Sequence, residues 1–357
     1  AAPARVDVVV PAHDEAAGIA GTVRSLAAME YPAGRFRVVV VADNCSDSTA
    51  DVARAAGATV LERNDPTRRG KGHALALAFR EALAGPADAV VVVDADTVAS
   101  PQLLASFAER FAAGAHAVQA RYGVRNAGDG WRTRLMSLAF TLFHDVRSLG
   151  RERLGLSCGL RGNGMGFSRE ALARVPYDAF SVVEDVEHGI QLALAGLRVE
   201  YVDEAAVQGE MPADAGASRS QRARWEGGRQ ALARQWRGRL LREGWRRRDP
   251  VLLDLAADLI VPPLSTLALA IVVGAAATAA TAAAGWTSWA PAAIWLAALA
   301  ALVIYVARGC ALTGAGLRTA LDLAWAPWYV LWKLALRASG AARAPRDWVR
   351  TRRASET

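Results

Sequence analysis

Three times in its first hundred residues the chain runs through valines without a polar break and then stops on polar, carboxylate-bearing segments. VVV at 8–10 leads into PAHDE at 11–15, VVVV at 38–41 into ADNCSD at 42–47, and AVVVV at 89–93 into DADT at 94–97. Strands without polar alternation are buried on both faces, which is the habit of parallel sheets covered by helices. Helical patterns at 15–29, 48–56 and 72–83 separate these runs, with a further short strand expected at 58–61. The alternation predicts an α/β domain with a mainly parallel sheet. Ligands of such sheets bind outside the carboxyl ends of the strands, so the polar strand ends mark one candidate site.

Composition matters through its unevenness. Apolar residues make up 53% of the 357, and between Asp258 and Arg308 no charged residue occurs. A bilayer needs about 20 apolar residues per helix, which predicts one span near Val261–Ala280 and another near Ala290–Ala307, with Pro262 and Pro263 at the entry of the first or kinking it. A third stretch, Leu321–Leu336, is interrupted by Asp322, Pro327 and Lys333 and reads as interfacial. The net charge of +7 is concentrated in arginines at 219–248 and 343–353, beside the uncharged stretch, which points to a membrane surface and not to nucleic acid. Basic flanks on one side of the membrane require an even number of crossings. The expected organisation is a catalytic-type domain at 1–217, a basic helical segment at 218–250, two transmembrane helices within 251–310, and an interfacial segment with a basic cytoplasmic tail at 311–357. Trp225, Leu232, Trp236 and Leu240 form one apolar stripe among the arginines of the second segment. That pattern suits a helix lying in the membrane interface, or an ordinary surface helix packed on the domain. Three scattered cysteines, Cys45, Cys158 and Cys310, suit a reduced compartment, and no export signal is expected in the opening residues.

The motif DADT admits more than one chemistry. Asp94 and Asp96, two positions apart at a buried strand end, suit Mg²⁺ or Mn²⁺, which take oxygen ligands and share them with substrate phosphates. They could instead cap the following helix, or match the Asp-x-Asp-x-Thr signature of haloacid-dehalogenase-type phosphatases. That signature requires a later lysine, and beyond the motif only Lys333 occurs. The glycine-rich stretches RRGKGHAL at 68–75 and RGNGMG at 161–166 are poor nucleotide fingerprints, although their backbone N–H groups could approach phosphates. Glu184 and Asp185, in SVVEDVEHG, read alone as a solvated helix start. In QRARW at 221–225, Arg224 could clamp a phosphate and Trp225 could stack on a sugar.

Taken in order, PAHDE, Asp43, DAD, ED and QRARW resemble the processive-type family 2 glycosyltransferases, whose nucleotide-sugar-binding domain is Rossmann-like and called GT-A. The resemblance covers about residues 5–310. It implies Asp94, Ala95 and Asp96 at the donor diphosphate, with Asp94 and Asp96 as ligands of Mg²⁺ or Mn²⁺. It implies Pro11, Glu15, Asp43 and Lys71 around the nucleoside, Asp185 as general base beside Glu184, and Gln221, Arg224 and Trp225 closing over pyrophosphate and acceptor. The implied activity is inverting transfer from a nucleotide-diphosphate sugar, UDP-linked in the first instance and GDP-linked in the second, to a lipid-linked or membrane-associated glycan acceptor in cell-envelope or exopolysaccharide synthesis. The implied setting is the inner membrane, multi-pass, with the catalytic domain facing the cytoplasm. A phosphatase and a non-catalytic nucleotide-sugar-binding membrane protein are the alternatives. Two departures stand out: ADNCSDST replaces the usual Asp-Asp-Gly-Ser segment, and Val183 stands where threonine is common.

Overall fold

The computed structural model describes residues 3–211, 215–313, 318 and 321–325, and the side chains of 212–224 lie outside that description. Strands β1 (Val6–Ala12), β2 (Phe36–Asp43), β3 (Thr59–Arg63) and β4 (Ala89–Val92) alternate with helices α1 (Ile19–Ala27), α2 (Thr49–Ala55) and α3 (Lys71–Ala84). β1 lies parallel to β2 and β4, and β2 parallel to β3. Successive side chains of a strand point to opposite faces. Val8, Val10, Val38, Val40 and Val91 therefore pack with Ile19, Val23 and Leu26 of α1, whereas Val9, Val41, Val90 and Val92 pack with Ala74, Leu75 and Phe79 of α3. Both faces are covered, which is why the valine runs carry no polar alternation.

The second half of the domain contains β5 (Val98–Ala99), α4 (Leu103–Ala112), β6 (Ala117–Val124), α5 (Trp131–Phe140), a π-helical turn at Thr141–Val146 and α6 (Arg147–Arg153). It continues with β7 (Met165–Ser168), α7 (Arg169–Arg174), α8 (Glu184–Leu194) and β8 (Val199–Gly209). The sheet order is β3-β2-β1-β4-β7-β6-β8-β5. The expected mainly parallel sheet is parallel on its first side and mixed on its second. β7 runs antiparallel to both β4 and β6, and β5 antiparallel to β8, while β6 and β8 are parallel. Glycines admit β7 to the middle of the sheet: a Cβ on Gly164 would lie 2.7 Å from Val207, and one on Gly166 would lie 2.6 Å from Val118.

Four helices follow: α9 (Ala215–Arg247), α10 (Pro250–Ile260), α11 (Leu264–Ala283) and α12 (Ala290–Leu312). The apolar stretch beginning at 252 is therefore not one element. Asp249 caps α10 by accepting from the N–H of Val251 at 2.9 Å, Pro250 takes the first helical position, and Pro262–Pro263 separate α10 from α11. α11 and α12 are each long and apolar enough to cross a bilayer, and Val272, Val273, Ile294, Val303 and Ile304 are exposed on them. Gly274 lets them approach, since a Cβ there would lie 2.6 Å from the Trp295 indole. At the far end of α12 the Tyr305 hydroxyl donates to the carbonyl of Leu142 at 2.6 Å. Beyond it, Asp322 accepts from Arg134 of α5 at 2.5 and 3.1 Å, and Trp325 stacks on Trp131 at 5.7 Å. The hairpin thus starts and finishes against the same domain. Residues 326–336 of the third apolar stretch lie outside the described residues.

The stripe on α9 resolves in favour of packing for most of its length. Leu232 is buried, and Leu240, buried, and Trp236, half-buried, belong to a cluster shared with Ile190 and Ala193 of α8 and Leu252, Leu255 and Leu259 of α10. Trp225, Leu241 and Trp245 remain exposed.

Candidate active site

The end of β4 delivers Asp94, Ala95 and Asp96 into a turn held by hydrogen bonds on both sides. Thr22 of α1 donates to the carbonyl of Ala95 at 2.6 Å, and the N–H of Thr97 donates to that of Asp94 at 3.1 Å. Buried Asn163 accepts from the N–H of Asp94 at 3.1 Å and donates to the Thr97 hydroxyl at 2.7 Å. The capping alternative is not realised: α4 begins at Leu103 behind Gln102, with no side-chain cap. The two carboxylates are only partly buried, which leaves them accessible to a ligand.

Lys71, the first residue of α3, joins this turn to the glycine-rich loop. Its ammonium donates to Asp94 Oδ1 at 2.5 Å and to the carbonyl of Gly162 at 2.6 Å. Gly162 has φ +80°, where glycine is favoured, and a Cβ there would lie 3.4 Å from Asp185 Oδ2. The loop thereby brings the ammonium, the strand-end pair and the ED pair into one cleft. Burial alone would lower the Lys71 ammonium, but Asp94, Glu184 and Asp185 outweigh it and leave it raised. Glu184 is buried at the start of α8, and desolvation together with the charge of Asp185 pushes its carboxyl up to about 8. Desolvation also raises Asp185, against backbone N–H groups, Lys71 and Arg161, which favour its charged form. The ED pair is thus a desolvated pair in the cleft and not a solvated helix start.

At the other strand ends, Pro11 closes β1, fully covered, and Glu15 is buried with its N–H donating to the Thr49 hydroxyl at 2.7 Å. Asp43 is also buried, accepting from Arg63 at 2.6 Å and from the Asn44 side chain at 3.0 Å. Arg63, Asn64, Asp65 and His73 line an open cleft of about 510 Å³, whose rim is Phe180 stacked on His73 at 4.4 Å. Burial and the charge of Arg63 lower His73, which keeps the ring neutral and apolar enough to stack. Gln221 and Arg224 have side chains outside the described residues. Trp225 stands 6.3 Å from the Phe140 ring, half-exposed, on the α9 turn that overlies the start of α8.

The donor set at Asp94 and Asp96 fits a hard divalent cation, being carboxylate oxygen at a phosphate-accessible strand end. Lys71 occupies Asp94 Oδ1 and offsets part of that carboxylate's charge, leaving its other oxygen and Asp96 to such an ion. Among the described residues one further grouping, Asp14, Cys45 and Asp47, has metal-like proximity. Its carboxylates brace the loops, Asp14 accepting from the N–H of Ser46 at 2.6 Å and Asp47 from that of Thr49 at 2.9 Å.

Several participants were not singled out from the sequence. Tyr122 of β6 has its phenol raised by burial and by the charges of Asp94 and Asp96, which places it beside that pair. Asn163 ties the turn together, and Gln119 holds its loop by donating to the Asn163 carbonyl at 2.8 Å and accepting from the N–H of Arg161 at 2.8 Å. The motif RGNGMG was a signal for this loop, but its contribution is a carbonyl and a side-chain amide, not a cradle of N–H groups.

Comparison with known proteins gives consistent results. A family model described as glycosyltransferase like family 2 matches residues 3–228. The beta-monoglucosyldiacylglycerol synthase of Trichormus variabilis is 31% identical over 245 residues, covering 65% of this chain and 50% of that protein. The N-acetylglucosaminyltransferase of Sinorhizobium fredii is 28% identical over 240 residues, covering 63% and 57%. The solved mannosyltransferase PcManGT from Pyrobaculum calidifontis, in complex with GDP-Man and Mn²⁺, superposes with a TM-score of 0.55 at 24% identity over 93% of this chain and 88% of that one. The chain spans about half the length of the curated relatives it matches.

Proposed function

The chain belongs to glycosyltransferase-like family 2 and has the GT-A fold, and on that basis we propose that it transfers a sugar from a nucleotide-diphosphate donor to a hydroxyl of a membrane-associated acceptor with inversion. The observation that carries this reading is Lys71, whose ammonium spans from Asp94 to the Gly162 carbonyl beside Asp185. In it, one cleft offers cationic charge for a diphosphate and a carboxylate for a hydroxyl. Asp185 accepts the acceptor proton as the oxygen closes on the anomeric carbon, and the bond to the diphosphate oxygen breaks on the opposite face. The raised Asp185 carboxyl is a stronger base than an ordinary aspartate, as proton abstraction near neutrality requires. Asp94 and Asp96 would hold Mg²⁺ or Mn²⁺, which supplies charge stabilisation to the departing nucleotide diphosphate. Lys71 binds the same diphosphate from the side of α3. Glu15 and Asp43 shape the nucleoside end with Pro11, and Gln221, Arg224 and Trp225 close over donor and acceptor.

UDP is the first choice of nucleotide and GDP the second. A relative named for a monoglucosyldiacylglycerol product supports a lipid as acceptor class. Two spans, α11 and α12, support a multi-pass inner-membrane setting, with Trp286 and Trp289 exposed in the turn between them, where indoles favour the bilayer interface. The catalytic domain would face the cytoplasm beside Arg242–Arg248, with Leu241 and Trp245 of α9 at the interface and the tail on the same side. The family match removes the phosphatase reading of DADT, and the assembled cleft speaks against a non-catalytic scaffold.

The test is a screen of the full chain in nanodiscs with labelled nucleotide sugars, Mn²⁺ or Mg²⁺ and a bacterial lipid extract. The reading expects release of one nucleotide diphosphate with label entering the lipid fraction. Turnover of simple phosphomonoesters, or no turnover of any donor with either metal, would contradict it.

A further inference from the structure

α10 is largely apolar, yet among the described residues its Asp258 is the carboxylate with the most arginine partners. Asp258, 6% exposed, receives three guanidinium groups from two different elements of the domain. Arg147 and Arg151 come from α6, the latter at 3.1 Å, and Arg229 comes from α9 at 2.8 Å. Arg229 also donates to the Asp258 carbonyl. Asp254, one turn earlier, forms an ion pair with Arg151 at 3.0 Å. Three guanidinium groups drawn to one place repel one another unless a carboxylate sits among them.

Two contacts lead from this cluster to Asp185. Gly228, the neighbour of Arg229, packs on Val183, where a Cβ would lie 3.0 Å from both valine methyl groups. Val183 is the residue immediately before Glu184 and Asp185, so the α9 turn fixed by Arg229 bears on the start of α8. The Phe143 ring also lies among Arg161 at 4.3 Å, Arg147 at 5.0 Å and Arg229 at 6.0 Å. Arg161 and Arg229 both act electrostatically with Asp185. Behind them α8, α9 and α10 share one apolar core.

We infer that Asp258 is a positioning residue for sugar transfer, holding Arg229 off Asp185 and locking the α9 turn against the start of α8. The inference rests on the assignment of Asp185 as base. Without the Asp258 carboxylate, Arg229 is free to turn towards Asp185, and the helix hairpin loses its tie to the cleft. Among the described residues, the charged and titratable groups around Asp185 are Lys71 of α3, Glu184 beside it, Arg161 of the glycine-rich loop, Arg229 of α9 and the phenols of Tyr122 and Tyr177. A guanidinium moving onto Asp185 favours its charged form and weakens it as a base.

The test compares Asp258→Asn, Asp258→Glu and Arg229→Gln in the full chain in nanodiscs, with kcat, donor KM and the acid limb of the kcat profile as readouts. For Asp258→Asn, kcat falls about tenfold or more, donor KM stays within about twofold, and the acid limb moves to lower pH. Asp258→Glu recovers much of kcat. Arg229→Gln, which removes a cation instead of freeing it, moves the acid limb the other way, and carries the test if Asp258→Asn is not recovered folded. Folded variants with the wild-type acid limb and unchanged kcat would overturn the inference. Failure of the base assignment is recognised separately, by an Asp185→Asn variant that retains transfer.

Discussion

Asp94 and Asp96 close an apolar strand, and Asp254 and Asp258 interrupt an apolar helix, yet the two pairs meet different partners. The first pair lies at the carboxyl end of a central strand, where the backbone turns away, held by Thr22 and Asn163 through main-chain groups, with one ammonium on Asp94. Its oxygens stay partly accessible. The second pair is enclosed by Arg147, Arg151 and Arg229. Carboxylates in apolar sequence are costly to bury without a partner, and the molecule meets that cost in two ways: by leaving a pair open to a ligand, or by supplying the counter-charges from its own fold. Substitutions should separate the two: at the first pair transfer is lost with stability kept, and at the second stability is lost together with part of kcat.

The largest expected effect is on stability. Asp258→Ala removes the carboxylate that three guanidinium groups share and is expected to cost about 3–5 kcal/mol, read by denaturant unfolding of the detergent-solubilised chain. A cost below about 1 kcal/mol would erase the distinction between the pairs. Next, Asp96→Asn is expected to lower kcat about a hundredfold, with unfolding unchanged within about 0.5 kcal/mol. Equal losses of stability at Asp96 and Asp258 would break the comparison.

Gly162→Ala sharpens it from the side of the cleft. A left-handed residue with a Cβ costs roughly 1–2 kcal/mol, and relief of that strain would shift the loop whose Cβ position touches Asp185 at 3.4 Å, so kcat falls while nucleotide binding, followed by calorimetry, changes little. The smallest effect concerns Glu184. A carboxyl raised from about 4.5 in the unfolded chain to about 8 in the folded one favours folding fully at low pH and loses that contribution as pH rises through this window. Glu184→Gln removes the loss, so its Tm should match the parent near pH 4 and exceed it by several degrees above pH 8. A variant less stable than the parent at pH 8.5 would contradict the assigned direction.

How far the sequence could be read follows from the same contrast. Strand-end groups were legible because burial on both faces leaves a direct signature, an unbroken valine run, and polarity then appears where the strand stops. The two long apolar helices, α11 and α12, were legible from length and lack of charge. α10 was not, because an apolar helix with two aspartates reads alike whether it enters a bilayer or packs on a protein, and the three arginines that decide the matter lie 29 to 111 positions away. The antiparallel placement of β7 was hidden for a related reason: Gly164 and Gly166 signal close approach without naming Val207 or Val118 as the neighbour. Tyr122 carries no motif of its own, and RGNGMG marks the loop of Asn163 without marking its side-chain amide; both enter the site only through the sheet order.

The central claim, that Asp185 removes the acceptor proton in a cleft shared with Asp94 and Asp96, is tested most directly by Asp185→Asn in nanodiscs. Donor binding with Mn²⁺ and label transfer to lipid are measured on the same preparation. The account predicts a nucleotide dissociation constant within about twofold of the parent and transfer reduced by about 10²–10⁴-fold. A folded variant that binds donor and still transfers at a substantial fraction of the parental rate would contradict it.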